Sequence, residues 1–142
     1  MSLNESLKKL LADNFALSLK TQNYHWNVEG ATFKMLHTLF EEQYDDLAQA
    51  TDAIAELIRG LGEKAPATLS EYATLTSIKD GDMNATAQKM LMDLMHDQDV
   101  ISDTLMHCLK LAQDTGDEVT ADAMIERLSI HRKNKWFLKS SL

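Results

Sequence analysis

The chain has 142 residues, a formal net charge of −8, 44% hydrophobic and 25% charged residues, and only 5 glycines and 1 proline. That length fits a single domain, 1–142, able to bury a core, and the composition is globular rather than disordered. The acidic balance argues against a dedicated nucleic-acid binder, which shows a basic patch or stripe, and no run of about 18 apolar residues offers a membrane span.

The scarcity of turn formers predicts an all-α protein with few connections. Leu3, Leu7, Leu10, Leu11, Phe15 and Leu19 recur at helical spacing and predict a first helix running to about Glu29, with Gly30 as its break. A second helix carries Leu36, Leu39, Phe40, Leu47, Ile54, Ile58 and Leu61 and ends near Gly60 and Gly62. The next connection, from Gly62 to Asp82, is about 20 residues long and contains Pro66. Structureless loops of that length are uncommon in compact domains, so Leu69 to Leu75 is expected to form a short helix on the way. A third long helix carries Ala87, Leu91, Leu94, Ile101, Leu105 and Leu109, and Gly116 separates it from a fourth with Val119, Met124, Ile125, Leu128 and Trp136. These stripes are assigned to the core, with the methionines as gap-fillers. Short first and third links with one long crossover describe a ferritin-like four-helix bundle.

Cys108 is alone, so no internal disulfide is available; the expectation is a free buried thiol in a reducing compartment. With no basic segment followed by an apolar run at the N-terminus, a cytoplasmic location is expected. Arg132, Lys133, Lys135 and Lys139 form a modest basic cluster, more often a solvated helix end than a DNA contact.

The chemistry concentrates in His25, His37, Asp52 and Glu56. Asp52 and Glu56 are spaced i,i+4 and share a helix face, as do His37 and Glu41. Mixed imidazole and carboxylate donors suit iron, zinc or manganese. His37 and Asp52, however, lie on one predicted helix at a separation of about 22 Å, too far for one metal. A site using all four residues must be shared between two chains. Antiparallel packing of two second helices about a two-fold axis would place the His37 end of one against the Asp52–Glu56 end of the other, twice per dimer.

The segment His25-Trp26-Asn27-Val28-Glu29-Gly30, with Phe33, Leu36-His37, Phe40-Glu41 and Tyr44, resembles the hallmark of the Dps family of mini-ferritins. Asp52-x-x-Ala55-Glu56, followed by Ile58-Arg59 and Leu61-Gly62, is similar to that family's second motif, and the resemblance continues through Gly116-Asp117 and Thr120-Ala121-Asp122 to Trp136-Phe137-Leu138. It implies a homododecameric shell that oxidises Fe(II), preferably with hydrogen peroxide, and stores ferric mineral. It implies that His25 and His37 come from one subunit and Asp52 and Glu56 from its mate, and that Glu41 supports a second iron. Zinc is a further occupant of the same donor set. Trp26 beside the site either intercepts oxidising equivalents or packs. Acidic residues corresponding to Glu118, Asp122 and Glu126 line pores through which cations enter, although an acidic ladder is as often simply solvated.

Two features depart from the family. Leu57 stands where Arg is frequent, and the chain begins almost directly with its first helix, without the Lys-rich tail of DNA-compacting members. The missing tail puts DNA binding in doubt; the alternatives are a DNA-compacting stress protein associated with the nucleoid, in which iron chemistry is secondary, and a metal-free helical assembly module. Asp93-x-x-His96 resembles half of a bundle-core di-iron motif without a second copy. His107 and Cys108 diverge by about 100° around a helix and cannot readily chelate one metal; His131 is expected to pack in the core.

Overall fold

A computed structural model describes residues 1–142, which form five helices and no strands: α1 (Leu3–Asn27), α2 (Phe33–Gly60), α3 (Leu69–Leu75), α4 (Ala87–Asp114) and α5 (Glu118–Ser140). Local chemistry sets the helix starts. Ser2 and Glu5 form a reciprocal capping box on α1, and the side chains of Thr68, Thr86 and Asp117 accept amide hydrogen bonds at the starts of α3, α4 and α5. Gly116, at φ 74°, turns the chain between α4 and α5, a conformation in which a side chain would be strained.

Cross-helix hydrogen bonds and ion pairs fix the directions. On α1 and α2 the partners are His25 with His37, Ser18 with Tyr44, and Asn14 with Leu47 and Thr51, so one number rises as the other falls. The same holds for α1 and α4, through Tyr24 with Asp93, Lys20 with Asp97, Lys9 with Thr104 and Ser6 with Cys108. Both α2 and α4 are thus antiparallel to α1 and parallel to each other. This requires the long crossover, which α3 interrupts where expected.

The core is built from Leu7, Leu10, Leu11, Leu17 and Tyr24 of α1, Leu36, Phe40, Leu47, Ile54 and Ile58 of α2, and Met90, Leu94, Ile101 and Leu105 of α4. From α5, Met124, His131 and Leu138 point inward, seven residues apart along one stripe. Several expected core residues instead face outward: Leu19, Leu61, Val119, Ile125 and Trp136 are exposed. Helical spacing shows that they line a face, not which face the bundle buries. The methionines also depart from expectation, since Met1, Met35, Met83, Met92 and Met106 are exposed and only Met90 and Met124 are fully buried. Cys108 is a buried free thiol in contact with Ser6 at 2.9 Å, and burial pushes its pKa up to about 11, so it stays protonated and unreactive.

Candidate metal centre

The last turn of α1 and the first turn of α2 meet across the short Val28–Thr32 corner, where Gly30 adopts φ 115°. The corner brings His25 and His37 face to face, with ring centroids 3.8 Å apart and 16° between their planes. Each ring is tied to the other's backbone. His25 Nδ1 donates to the His37 carbonyl at 2.7 Å, and His37 Nδ1 donates to the His25 carbonyl at 2.8 Å. A carbonyl only accepts, so both Nδ1 atoms carry hydrogen, and Nε2 is the nitrogen each ring keeps for a metal. Metal-binding histidines are commonly held by such a bond from their second nitrogen. His25 is 6% exposed, while His37 is half-buried and nearer the solvent.

Two further rings complete the cluster. Phe33 stacks on His37 at 5.0 Å and 28°, and Tyr44 meets His25 edge-on at 5.2 Å and 64°. Sequence reasoning gave neither ring a role. The Phe33–His37 spacing of i,i+4 was the available signal, because it places both side chains on one helix face.

Asp52 and Glu56 lie on the same continuous helix as His37, with both carboxylates exposed. At the rise of an α-helix they stand about 22 Å and about 28 Å along the axis from His37. Nowhere in one chain do three or more His, Cys, Asp or Glu side chains gather as a metal cage. One protomer therefore carries two half-sets of donors: an imidazole pair at the α1–α2 corner, His25 from the end of α1 and His37 from the start of α2, and a carboxylate pair in the last third of α2. Glu41 is exposed one turn after His37.

The remaining residues singled out by sequence are dispersed. Trp26 is 62% exposed and lines a groove of 620 Å³ between α1 and the crossover. Glu118, Asp122 and Glu126 are exposed on the first half of α5. Asp117 serves as the α5 cap, and its bonds from the Thr120 hydroxyl and amide hold its carboxyl below the usual range. Asp93 is engaged by the Tyr24 hydroxyl and by Lys89, while His96 is exposed, so that half-motif builds no centre. In the basic cluster Lys135 is neutralised by Asp99 at 2.8 Å, and Lys133 lies over the Phe137 ring at 5.4 Å. Leu57 is half-buried against the core and touches none of these groups as an ion-pair partner.

The ferritin-like domain family matches residues 4–142. DNA protection during starvation protein 2 of Bacillus anthracis is 36% identical over 138 residues, covering 97% of this chain and 94% of that protein. General stress protein 20U of Bacillus subtilis is also 36% identical, covering 99% and 97%. Among solved structures, Dps from Staphylococcus aureus superimposes with a TM-score of 0.95 at 31% identity, covering 99% and 94%. Dps from Vibrio cholerae O1, described as a member of a broad superfamily of ferritin-like diiron-carboxylate proteins, gives 0.93 at 30% identity, covering 97% and 87%. The architecture is accordingly an all-α ferritin-like bundle. Within that class, the chain belongs to the Dps family.

Proposed function

We propose that this protein oxidises and sequesters iron, and that each reaction centre is assembled from two copies of the chain. His25 and His37 of one subunit supply Nε2 donors; Asp52 and Glu56 of a second subunit supply carboxylate oxygens; Glu41 supports a second iron. Iron is both substrate and cargo. The observation that carries this reading is the stacked histidine pair, whose reciprocal Nδ1–carbonyl bonds leave the Nε2 of each ring free, while the acid pair lies on the far part of the helix that carries His37. Antiparallel apposition of two α2 helices about a two-fold axis unites the half-sets, giving two centres per dimer.

The residues divide the work. The fixed imidazoles hold metal without adding charge, and the carboxylates neutralise positive charge as ferrous ions become ferric. Two Fe(II) at one centre supply both electrons that hydrogen peroxide needs to become two waters, with two protons taken from solvent. No lone ferrous ion is then left to release hydroxyl radical, so peroxide removal and iron storage are one reaction. Ferric mineral collects inside a closed shell, for which the Dps dodecamer is the expected form. Glu118, Asp122 and Glu126, exposed together on α5, draw cations inward by their summed negative potential. Zinc competes for the same donors. Trp26, exposed and next in sequence to His25, takes up stray oxidising equivalents in this reading.

The test is anaerobic loading of the apoprotein with Fe(II), then addition of peroxide with ferric absorbance recorded. Rapid oxidation at about two Fe(II) per peroxide is expected, as the two-electron balance requires, and both His37→Ala and Asp52→Ala should slow it by at least about 100-fold, the scale of losing a positioned catalytic group. Oxidation by either variant at the unaltered rate rejects the shared centre.

A further inference from the structure

We infer that Phe33 is a positioning residue for the histidine half-site, an inference that rests on the ligand reading above. Phe33 is the first residue of α2 and is 40% exposed, so its ring is not held there by burial in the core. Its contact is His37: the two rings stack at 5.0 Å, and His37 in turn stacks on His25 at 3.8 Å. Tyr44 closes the far end against His25. The four rings form a continuous column in which both imidazoles occupy the middle.

The column supplies a restraint that the hydrogen bonds do not. A single bond from Nδ1 to a carbonyl fixes the distance of the ring from that carbonyl but lets the ring rock about the bond, swinging Nε2 through an arc. His37 needs an outer contact more than His25, because it is half-buried whereas His25 is enclosed. Phe33 provides that contact on the face of His37 turned away from His25. The start of α2 also lacks a side-chain cap, since the Thr32 side chain accepts no amide hydrogen bond. The Phe33 amide bonds instead to the Gly30 carbonyl at 3.1 Å, so the residue that anchors the helix start also carries the ring. Phe33 touches no donor atom of the metal; it acts by keeping His37 Nε2 aimed.

Cobalt(II) alone is the probe, because its visible ligand-field absorption reports both affinity and geometry. It is titrated into the apoprotein of the unaltered chain, Phe33→Ala, Phe33→Leu, Phe33→Trp and His37→Ala, with assembly followed by light scattering. Phe33→Ala and Phe33→Leu are expected to bind about 10-fold more weakly with an altered absorption band, the lower end of what loss of outer support for a ligand brings, and Phe33→Trp to restore both. Phe33→Leu keeps apolar bulk but no stacking face, so native affinity in that variant overturns the inference. Loss of assembly in Phe33→Leu, accompanied by weak binding, also overturns it by making Phe33 an assembly residue. If the unaltered chain binds cobalt no better than His37→Ala, the ligand reading itself fails; unchanged binding in both Phe33→Ala and Phe33→Leu, with loss in His37→Ala, defeats only the role of Phe33.

Discussion

His131 is 1% exposed between α4 and α5, and its two nitrogens are used differently. Nδ1 donates to Gln98 Oε1 at 2.7 Å, while Nε2 accepts from Arg127, whose guanidinium also grips Asp46 of α2 at 2.9 and 3.1 Å. Burial, and then the neighbouring Arg127 charge, push the His131 pKa down to about 3. An unfolded histidine titrates near 6.5, so between about 6.5 and about 3 the unfolded chain holds a proton that the folded one refuses. The His131 contribution is therefore complete above pH 6.5 and declines as pH falls, by about 1.4 kcal/mol per unit inside that window. Asp97, whose carboxyl burial pushes upward despite Lys20 at 2.8 Å, works in the opposite sense but is common to parent and variant. The stability difference between the unaltered chain and His131→Gln, from chemical denaturation at pH 7, 6 and 5, is expected to shift in favour of the variant by that slope below pH 6.5; a difference independent of pH would reject the buried neutral imidazole. The expected packing of His131 was legible from its place on the Met124–Leu128 face. Gly30, the predicted break between the first two helices, already set His25 and His37 on either side of one connection. Which nitrogen each ring leaves free was not, because that depends on backbone carbonyls brought close only by the fold.

The crossover shows how one residue can organise an element. Asp13 is 0% exposed on α1, and its two oxygens receive four hydrogen bonds. Lys9 Nζ and the Thr104 hydroxyl of α4 donate to Oδ2, each at 2.8 Å. The Thr76 hydroxyl at 2.8 Å and the Ser77 amide at 2.7 Å, both just beyond α3, donate to Oδ1. The carboxylate thus binds α1, α4 and the descending half of the crossover at one point. Asp13→Ala strands those donors and an ammonium whose partner is gone, and is expected to cost about 3–5 kcal/mol, as when one side of a buried ion pair is removed. Denaturation gives the total, and hydrogen exchange should show the Ser77 amide opening much faster while amides in the middle of α2 change less. A loss below about 1 kcal/mol, the worth of an ordinary hydrogen bond, would mean that the crossover is held elsewhere. The helices and the crossover were readable from apolar spacing, glycine breaks and the length of one link. Asp13 was not, since a lone acid inside an apolar stripe has no signature until its donors arrive from positions 76, 77 and 104. Leu19, Val119 and Trp136 were misplaced for the complementary reason: periodicity identifies a face but is blind to whether a helix in the same chain covers it.

At the scale of the whole molecule, one protomer leaves too much apolar surface uncovered to be a convincing end point. Leu19, Trp26, Leu69 and Met83 crowd a single groove along α1 and the crossover, and Met35, Trp136 and Phe137 line another between α2 and α5. Contiguous exposed apolar patches mark association surfaces more often than free ones. The donors point the same way, since α2 holds His37 and Asp52 about 22 Å apart and no rotamer closes such a gap. Subunit mixing separates a shared centre from two independent half-sites. A double variant His25→Ala, His37→Ala has no complete centre in its homodimer, and neither has Asp52→Ala, Glu56→Ala. A heterodimer of the two places intact histidines of one subunit against intact acids of the other at one of its two centres, leaving the second centre with neither set. When the inactive proteins are unfolded together and refolded, random pairing makes about half of the dimers mixed, and Fe(II) oxidation should return to about a quarter of the unaltered rate. Mixing without unfolding should restore nothing until subunits exchange. Activity that stays at the level of the separate variants after co-refolding, with heterodimers demonstrated by mass, would show that the imidazole pair and the acid pair never meet.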